Sequence, residues 1–440
     1  MQALLSYDQS PPLYAPMRFF LTAPCFGMLA GLLVLWSGWS GSDVELNASR
    51  WTPVVLALTH LVTVGIMLQV MLGAVIQIMP VLAGANMVKP MRLARVVHAL
   101  ISLGALTLTA AFLSSSPLLF KLAALLLGLG IAYFVGSAVY ALYGIPSSSP
   151  SIRDLKIAIL GLSVTVGLGA TLAITLGGSL GLPSSTLADI HLGWGFVAWG
   201  TILLAAVAYV VVPMFQLTPA YPDWFGRWYS VSLLVVVLLW TIAEYCSWNL
   251  VSLVLGVGVV SGSALFAGIT LKIQRHTKRA HFDATQHYWR GAMLSALAAC
   301  GLWLAARTVP LLADWPVWPL VFGVLVLFGG FVSVIFGMLY KIVPFLIWLH
   351  LQQQGQGRVM APNMKKVIAE RAMNGQLLAH FASCLLLLLA LMWPNEFDYP
   401  AGLALVAANA WLLRNLLAGL SVYRGHLRKI ESVFSGAIRR

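Results

Sequence analysis

Imidazole is the side chain in this sequence best suited to chemistry inside a membrane, and three of the nine histidines, His60, His191 and His380, lie in long apolar runs. An ionisable group at such depth is costly unless it ligates something or hydrogen-bonds a neighbouring helix, and neutral imidazole is a common metal ligand. Asp189-x-His191 places a carboxylate two residues before the ring, where it could orient an imidazole for a metal or a heme; an ordinary interfacial histidine has the same signature. His60 and His380 can equally be helix-to-helix hydrogen bonders. The other six, His98, His276, His281, His287, His350 and His426, fall at span starts or in basic loops and ends, and are expected to be interfacial or solvated. Cys25, Cys246, Cys300 and Cys384 stand singly in apolar segments and read as small buried hydrophobes. No CxxCH occurs, which excludes covalent heme attachment within this chain.

The elements that must carry these residues are membrane helices. The 440 residues are 60% hydrophobic and 9% charged, against about 45–50% and about 25% in soluble domains. That excludes nucleic-acid binders, secreted scaffolds and cytosolic enzymes. Apolar runs long enough to cross a bilayer fall at 18–38, 52–83, 91–113, 117–143, 153–178, 186–213, 224–246, 249–274, 284–308, 317–350, 366–392 and 399–422. They must be helices, because hydrocarbon cannot satisfy an open strand edge. The expected fold is therefore all-α, one polytopic membrane domain over 1–440. Met1 to Pro16 is polar, lacks a basic n-region and meets no small-residue cleavage site, so no cleavable signal is expected.

Charge sets the topology. With the N-terminus inside, 22 of the 26 basic residues fall on the cytoplasmic side, while Asp43, Glu45, Asp189, Asp314, Glu396 and Asp398 fall on the other. The positive-inside rule thus predicts N-in and C-in, and the net charge of +13 is mainly a topology signal with a contribution to anionic lipid binding. Pro80, Pro213 and Pro344 end the second, sixth and tenth spans at spacings of 133 and 131, with Gly73, Ala206 and Gly337 seven residues before them. Arg18, Arg153 and Arg290 repeat at 135 and 137. This predicts a pseudo-threefold 4+4+4 array with units of about 18–143, 153–274 and 284–422.

Three four-helix units, each with a second helix closing on a small-x6-Pro ending, resemble the catalytic subunit (subunit I) of the heme-copper oxidase superfamily, which includes nitric oxide reductases. The stretch Gly330-Phe-Val-Ser-Val-Ile-Phe-Gly337-Met-Leu-Tyr340-Lys-Ile-Val-Pro344 is similar to that family's tenth helix, and His60 with the Gly-rich run to Pro80 is similar to its heme-ligand helix. The resemblance implies a heme b with His60 on its iron, and it arranges the first, second, eleventh and twelfth helices in one arc, from which His380 could supply the opposite ligand. It implies heme-propionate contacts for Arg50 and Arg307, beside Trp51. Departures matter as much. The family's tenth-helix His-x-His is replaced by Phe322 and Val324, the seventh span has no histidine pair, and the position four residues after His191 is Gly195. A three-histidine copper site cannot be assembled in the family's manner, and copper is not expected.

Few carboxylates are available for proton work: Asp154 and Glu370 sit at cytoplasmic span starts and Glu244 near an outer end. Arg414, halfway along the last span, either snorkels or meets a buried partner. The expected function is a heme-binding protein of a bacterial cytoplasmic membrane, in respiratory electron transfer, nitric oxide or oxygen handling, or oxidase assembly. Its expected partners are the lipid bilayer and other respiratory or cytochrome subunits, with no nucleic acid. The alternative is a heme-free small-solute permease or channel on the same scaffold. A terminal reductase with unusual ligands is disfavoured by the empty seventh and tenth spans.

Overall fold

The computed structural model describes residues 10–39 and 47–438, and within them every regular element is a helix. Asp43, Glu45, Arg439 and Arg440 of the charge argument lie outside the described residues. Twelve helices are long and apolar enough to cross a bilayer. They are α1 (Tyr14–Gly38), α2 (Pro53–Ala83), α3 (Pro90–Ser114), α4 (Pro117–Leu142), α5 (Pro150–Leu176) and α6 (Ser184–Gln216). There follow α7 (Asp223–Tyr245), α8 (Asn249–Arg275), α9 (Ala284–Thr308), α10 (Trp318–Gly355), α11 (Glu370–Met392) and α12 (Pro394–Ser435).

Local sequence explains where they start. Pro53, Pro90, Pro117 and Pro150 occupy first-turn positions, where no helical N–H is lost. Thr52 and Ser149 cap the N-termini of α2 and α5 through their hydroxyls, and Asp283 with Gln286 forms a reciprocal capping box on α9. The largest departure from the apolar-run boundaries is α12, expected to end near 422. Hydropathy sees only the lipid-embedded part, whereas the helix continues because Tyr423 and Ile430 are buried and Arg358, just beyond α10, stacks on Phe434 at 5.0 Å.

The mid-chain conformation of α2, α6 and α10 is not α-helical. Each contains an eight-residue π-helical stretch: Leu61–Leu68, Trp194–Thr201 and Leu325–Val332. Their starts are 133 and 131 residues apart, the same spacings as Pro80, Pro213 and Pro344. In two of them a hydroxyl follows the wider turn: Thr201 Oγ1 donates to the Phe196 carbonyl at 2.8 Å, and Ser333 Oγ to the Phe328 carbonyl at 3.0 Å. Such π segments concentrate at functional sites, and residues of all three line one cavity.

The chain ends zip together. α1 packs along α12, which also packs on α10 and α11. A Cβ on Gly31 would sit 2.9 Å from the Gly402 carbonyl oxygen, and one on Gly402 would sit 2.9 Å from that of Gly31. Backbones this close tolerate only glycine, the usual small-residue contact between membrane helices.

Candidate functional site

A cavity of about 1560 Å³ lies within the bundle, larger than the roughly 300–1,000 Å³ of ordinary ligand pockets. It is lined by residues of α2 to α5, of α6, and of α7 to α10, with Leu387, Ala390 and Leu391 of α11. Arg50, Asp189, Glu244 and Arg307 mark one end. Near the opposite end of the bundle Gln274 Nε2 donates to Gln216 Oε1 at 2.9 Å and Gln286 Nε2 to the Gln216 carbonyl at 3.4 Å, beyond the cavity wall.

His60 and His191 both line this cavity. Each is seven residues past the start of its helix, which puts both about 10 Å along the axis. His60 and His191 are both half-buried. His60 Nδ1 lies 2.7 Å from the Leu56 carbonyl oxygen, and His191 Nδ1 lies 3.0 Å from that of Thr165 on α5. A carbonyl can only accept, so both Nδ1 atoms carry the proton and, in the neutral rings, both Nε2 atoms carry the lone pair. Metal-ligating histidines are ordinarily fixed in this way. His60 stacks against Phe112 at 5.0 Å. His191 is seated over Gly169, where an added Cβ would come within 3.0 Å of its Cε1.

The cavity end is built from paired charges and indoles. Arg50 Nη2 bridges Asp189 Oδ1 at 2.9 Å and its guanidinium lies 4.4 Å over the Trp51 ring. Arg307 stacks on Trp303 at 5.0 Å. Glu244 accepts a hydrogen bond from Ser252. Asp189 therefore serves Arg50 rather than the His191 ring, which the Thr165 carbonyl orients.

His380 is placed elsewhere. It is 1% exposed, is absent from the cavity wall, and sits among Tyr288, Phe336 and Phe381. Ser333 Oγ gives its proton to the Phe328 carbonyl, so at 2.8 Å it accepts from His380 Nε2. That nitrogen is spent on α10, and His380 is not brought together with His60. His380 does not line the cavity that His60 lines, so the axial pair expected from the resemblance gains no support here.

Several other residues differ from their sequence readings. His350 is buried, bonding the Leu346 carbonyl through Nδ1 and the Pro11 carbonyl through Nε2 at 3.1 Å, because α10 runs on to Gly355 and the N-terminal strand of chain packs on it. His98 Nε2 lies 2.8 Å from Thr22 Oγ1. Asp154 is fully buried, held by Arg153 Nη2 at 2.7 Å and Ser230 Oγ at 2.5 Å. Arg414 is exposed on α12, as snorkelling requires. Of the four cysteines Cys300 and Cys384 are buried, Cys25 is half-buried and Cys246 exposed. Phe322 and Val324 line the cavity, so the tenth-helix positions are present there with apolar side chains. Among the described residues no group of three or more His, Cys, Asp or Glu side chains converges.

The Asp283 cap also holds helices together: its Oδ2 bonds Lys341 Nζ on α10 at 2.5 Å and Arg279 Nη1 at 3.0 Å. Burial pushes this carboxyl up, but Lys341 and Arg279 outweigh it and hold Asp283 below the usual carboxylate range.

No protein-family model matches this chain, and no curated protein matches it.

Proposed function

We propose that this protein is a b-type heme protein of a bacterial cytoplasmic membrane, built on the heme-copper oxidase subunit I scaffold, that carries electrons within a respiratory assembly. The reading rests on one observation above all. Two imidazoles lining one cavity, His60 and His191, have Nδ1 tied to carbonyls and Nε2 left as the lone pair. The residues fit a heme. The wall between α2 and α6 is mostly apolar, Phe112 and Gly169 shape the space beside the two rings, and Arg50 at the cavity end would pair with a propionate carboxylate. His60 and His191 would hold such a heme, which would supply one-electron transfer. The chain's own part is to fix both ring tautomers, exclude water with an apolar wall, and neutralise the propionate end.

The coincident spacing of the π segments and of Pro80, Pro213 and Pro344 supports a pseudo-threefold 4+4+4 array. The loop charges support N-in and C-in, which turns the Arg50 end outward. Electron donors and acceptors are then other respiratory or cytochrome subunits.

The test is the spectrum of the purified protein. A Soret band and a heme b pyridine hemochrome are expected, with the band lost in His60→Ala and shifted in His191→Ala. Colourless protein from heme-replete cells overturns the proposal.

A further inference from the structure

We propose that the other half of the cavity, between α6 and α10, is a binding site for a long-chain membrane amphiphile: one apolar chain under a hydrogen-bonding head group. This does not rest on heme in the first half. The starting observation is a stripe on α8. Asn249, Ser252, Gly256, Val259, Ser263 and Phe266 recur at three- and four-residue steps and all face the cavity. Seventeen residues at 1.5 Å each make the stripe about 26 Å long. α8 packs on α7 and α9, and only 11% of its membrane-spanning window is buried inside the protein. Along this face Gly256 packs against Trp303 and Phe266 against Tyr221, Phe225 and Tyr229, while Ser252, Val259 and Ser263 border the cavity between them.

That space has the chemistry of an amphiphile. No imidazole lines it, and Phe322 and Val324 stand at the tenth-helix positions, so a metal cofactor has nothing to hold it. Along its length the wall is Val259, Val326 and Phe331, and the Ser263 hydroxyl is spent on the Val259 carbonyl at 3.1 Å. The charged groups gather at one end, Arg307 and Glu244, beside Asn249 and Ser252, while the Thr201 and Ser263 hydroxyls deeper in donate to backbone carbonyls. Such a gradient matches a hydrogen-bonding head above an apolar tail, and a charge or a polar solute has no partner further in. Dry voids of this size are not tolerated in packed interiors.

The route in is sideways. Leu253 is 40% exposed on the bundle surface and also lines the cavity, one turn from Asn249, which is exposed as well. A chain lying in the bilayer can therefore enter between helices near the Arg50 end, head group last.

The experiment compares the protein with Ser263→Trp and Val259→Trp, which plug this half, and with Ala124→Trp, which plugs the His60 half. Each is purified in a rigid steroid detergent, which has no long chain to substitute, extracted with organic solvent, and the extract quantified by mass spectrometry. The unsubstituted protein is expected to yield a stoichiometric long-chain molecule, lost in both α8 variants and kept in Ala124→Trp. An isoprenoid quinone and an acyl lipid are separated by mass, and either supports the site. Monodisperse elution and an unchanged unfolding midpoint show that the variants fold. Extracts without a stoichiometric long-chain molecule, or folded α8 variants that keep it, overturn the proposal. Colour is read separately: loss of the Soret band in Ala124→Trp bears on the heme reading alone.

Discussion

Gly169→Ala sets the heme reading against helix propensity. The new Cβ would lie 3.0 Å from His191 Cε1 and 3.5 Å from its Nδ1. The first distance is tighter than van der Waals contact, so the ring must move by a few tenths of an ångström. Its only anchor across helices is the 3.0 Å bond from Nδ1 to the Thr165 carbonyl, which the movement strains. Disturbing such an outer-shell contact typically costs about 10–100-fold in metal affinity. Stability should move the other way or hardly at all, since replacing a mid-helix glycine by alanine favours the helix by about 0.5–1 kcal/mol. Gly167→Ala is the control. It lies on the same helix, its Cβ would meet nothing within 4 Å, and it gains the same propensity without touching His191. Heme titration of the apoprotein followed by absorbance, with thermal unfolding of both variants, gives the comparison. The expected outcome is weaker heme binding in Gly169→Ala alone, with both variants as stable as the parent. Equal heme affinity in the two would refute the claim that His191 is a ligand seated by Gly169.

His380→Ala should keep the Soret band while lowering the unfolding midpoint, because it removes a buried hydrogen bond to Ser333 Oγ, worth about 0.5–1.5 kcal/mol, and leaves a cavity among Tyr288, Phe336 and Phe381; absorbance and calorimetry on one preparation check both halves. Acidification should destabilise the Asp283 clamp. Lys341 and Arg279 lower the folded-state pKa, so this carboxylate's contribution is fully present above its unfolded value and is lost as pH falls through the folded one. Asp283→Asn should therefore flatten the acid limb of stability against pH, measured by unfolding midpoints across buffers; an unchanged limb would count against the clamp. Arg50→Gln should cost under about 1 kcal/mol of stability, since the Arg50–Asp189 pair is 39% and 33% exposed, yet should weaken heme binding in the same titration.

Much of this architecture is legible in the sequence because bilayer insertion is decided residue by residue. Twelve apolar runs are twelve helices, and their starts are written in Pro53, Pro90, Pro117, Pro150 and the Asp283 capping box. The 133 and 131 spacing of three prolines foretells where the helices repeat, although no residue pattern announces the π turns. His60 is recognisable from its place in the second span as an imidazole inside the bundle, and the structure finds it half-buried on the cavity. His191 and His380 look alike in sequence, each a histidine in an apolar run. The first is freed at Nε2 by a carbonyl 26 residues away on α5 and the second is consumed by a hydroxyl 47 residues away on α10. His350 reads as a loop residue until Pro11 packs over it. Hydrophobicity and capping are local and survive in a string of letters. Which nitrogen remains a lone pair, and which helix face is left without a partner, depend on contacts between distant segments, and those only the packed bundle decides.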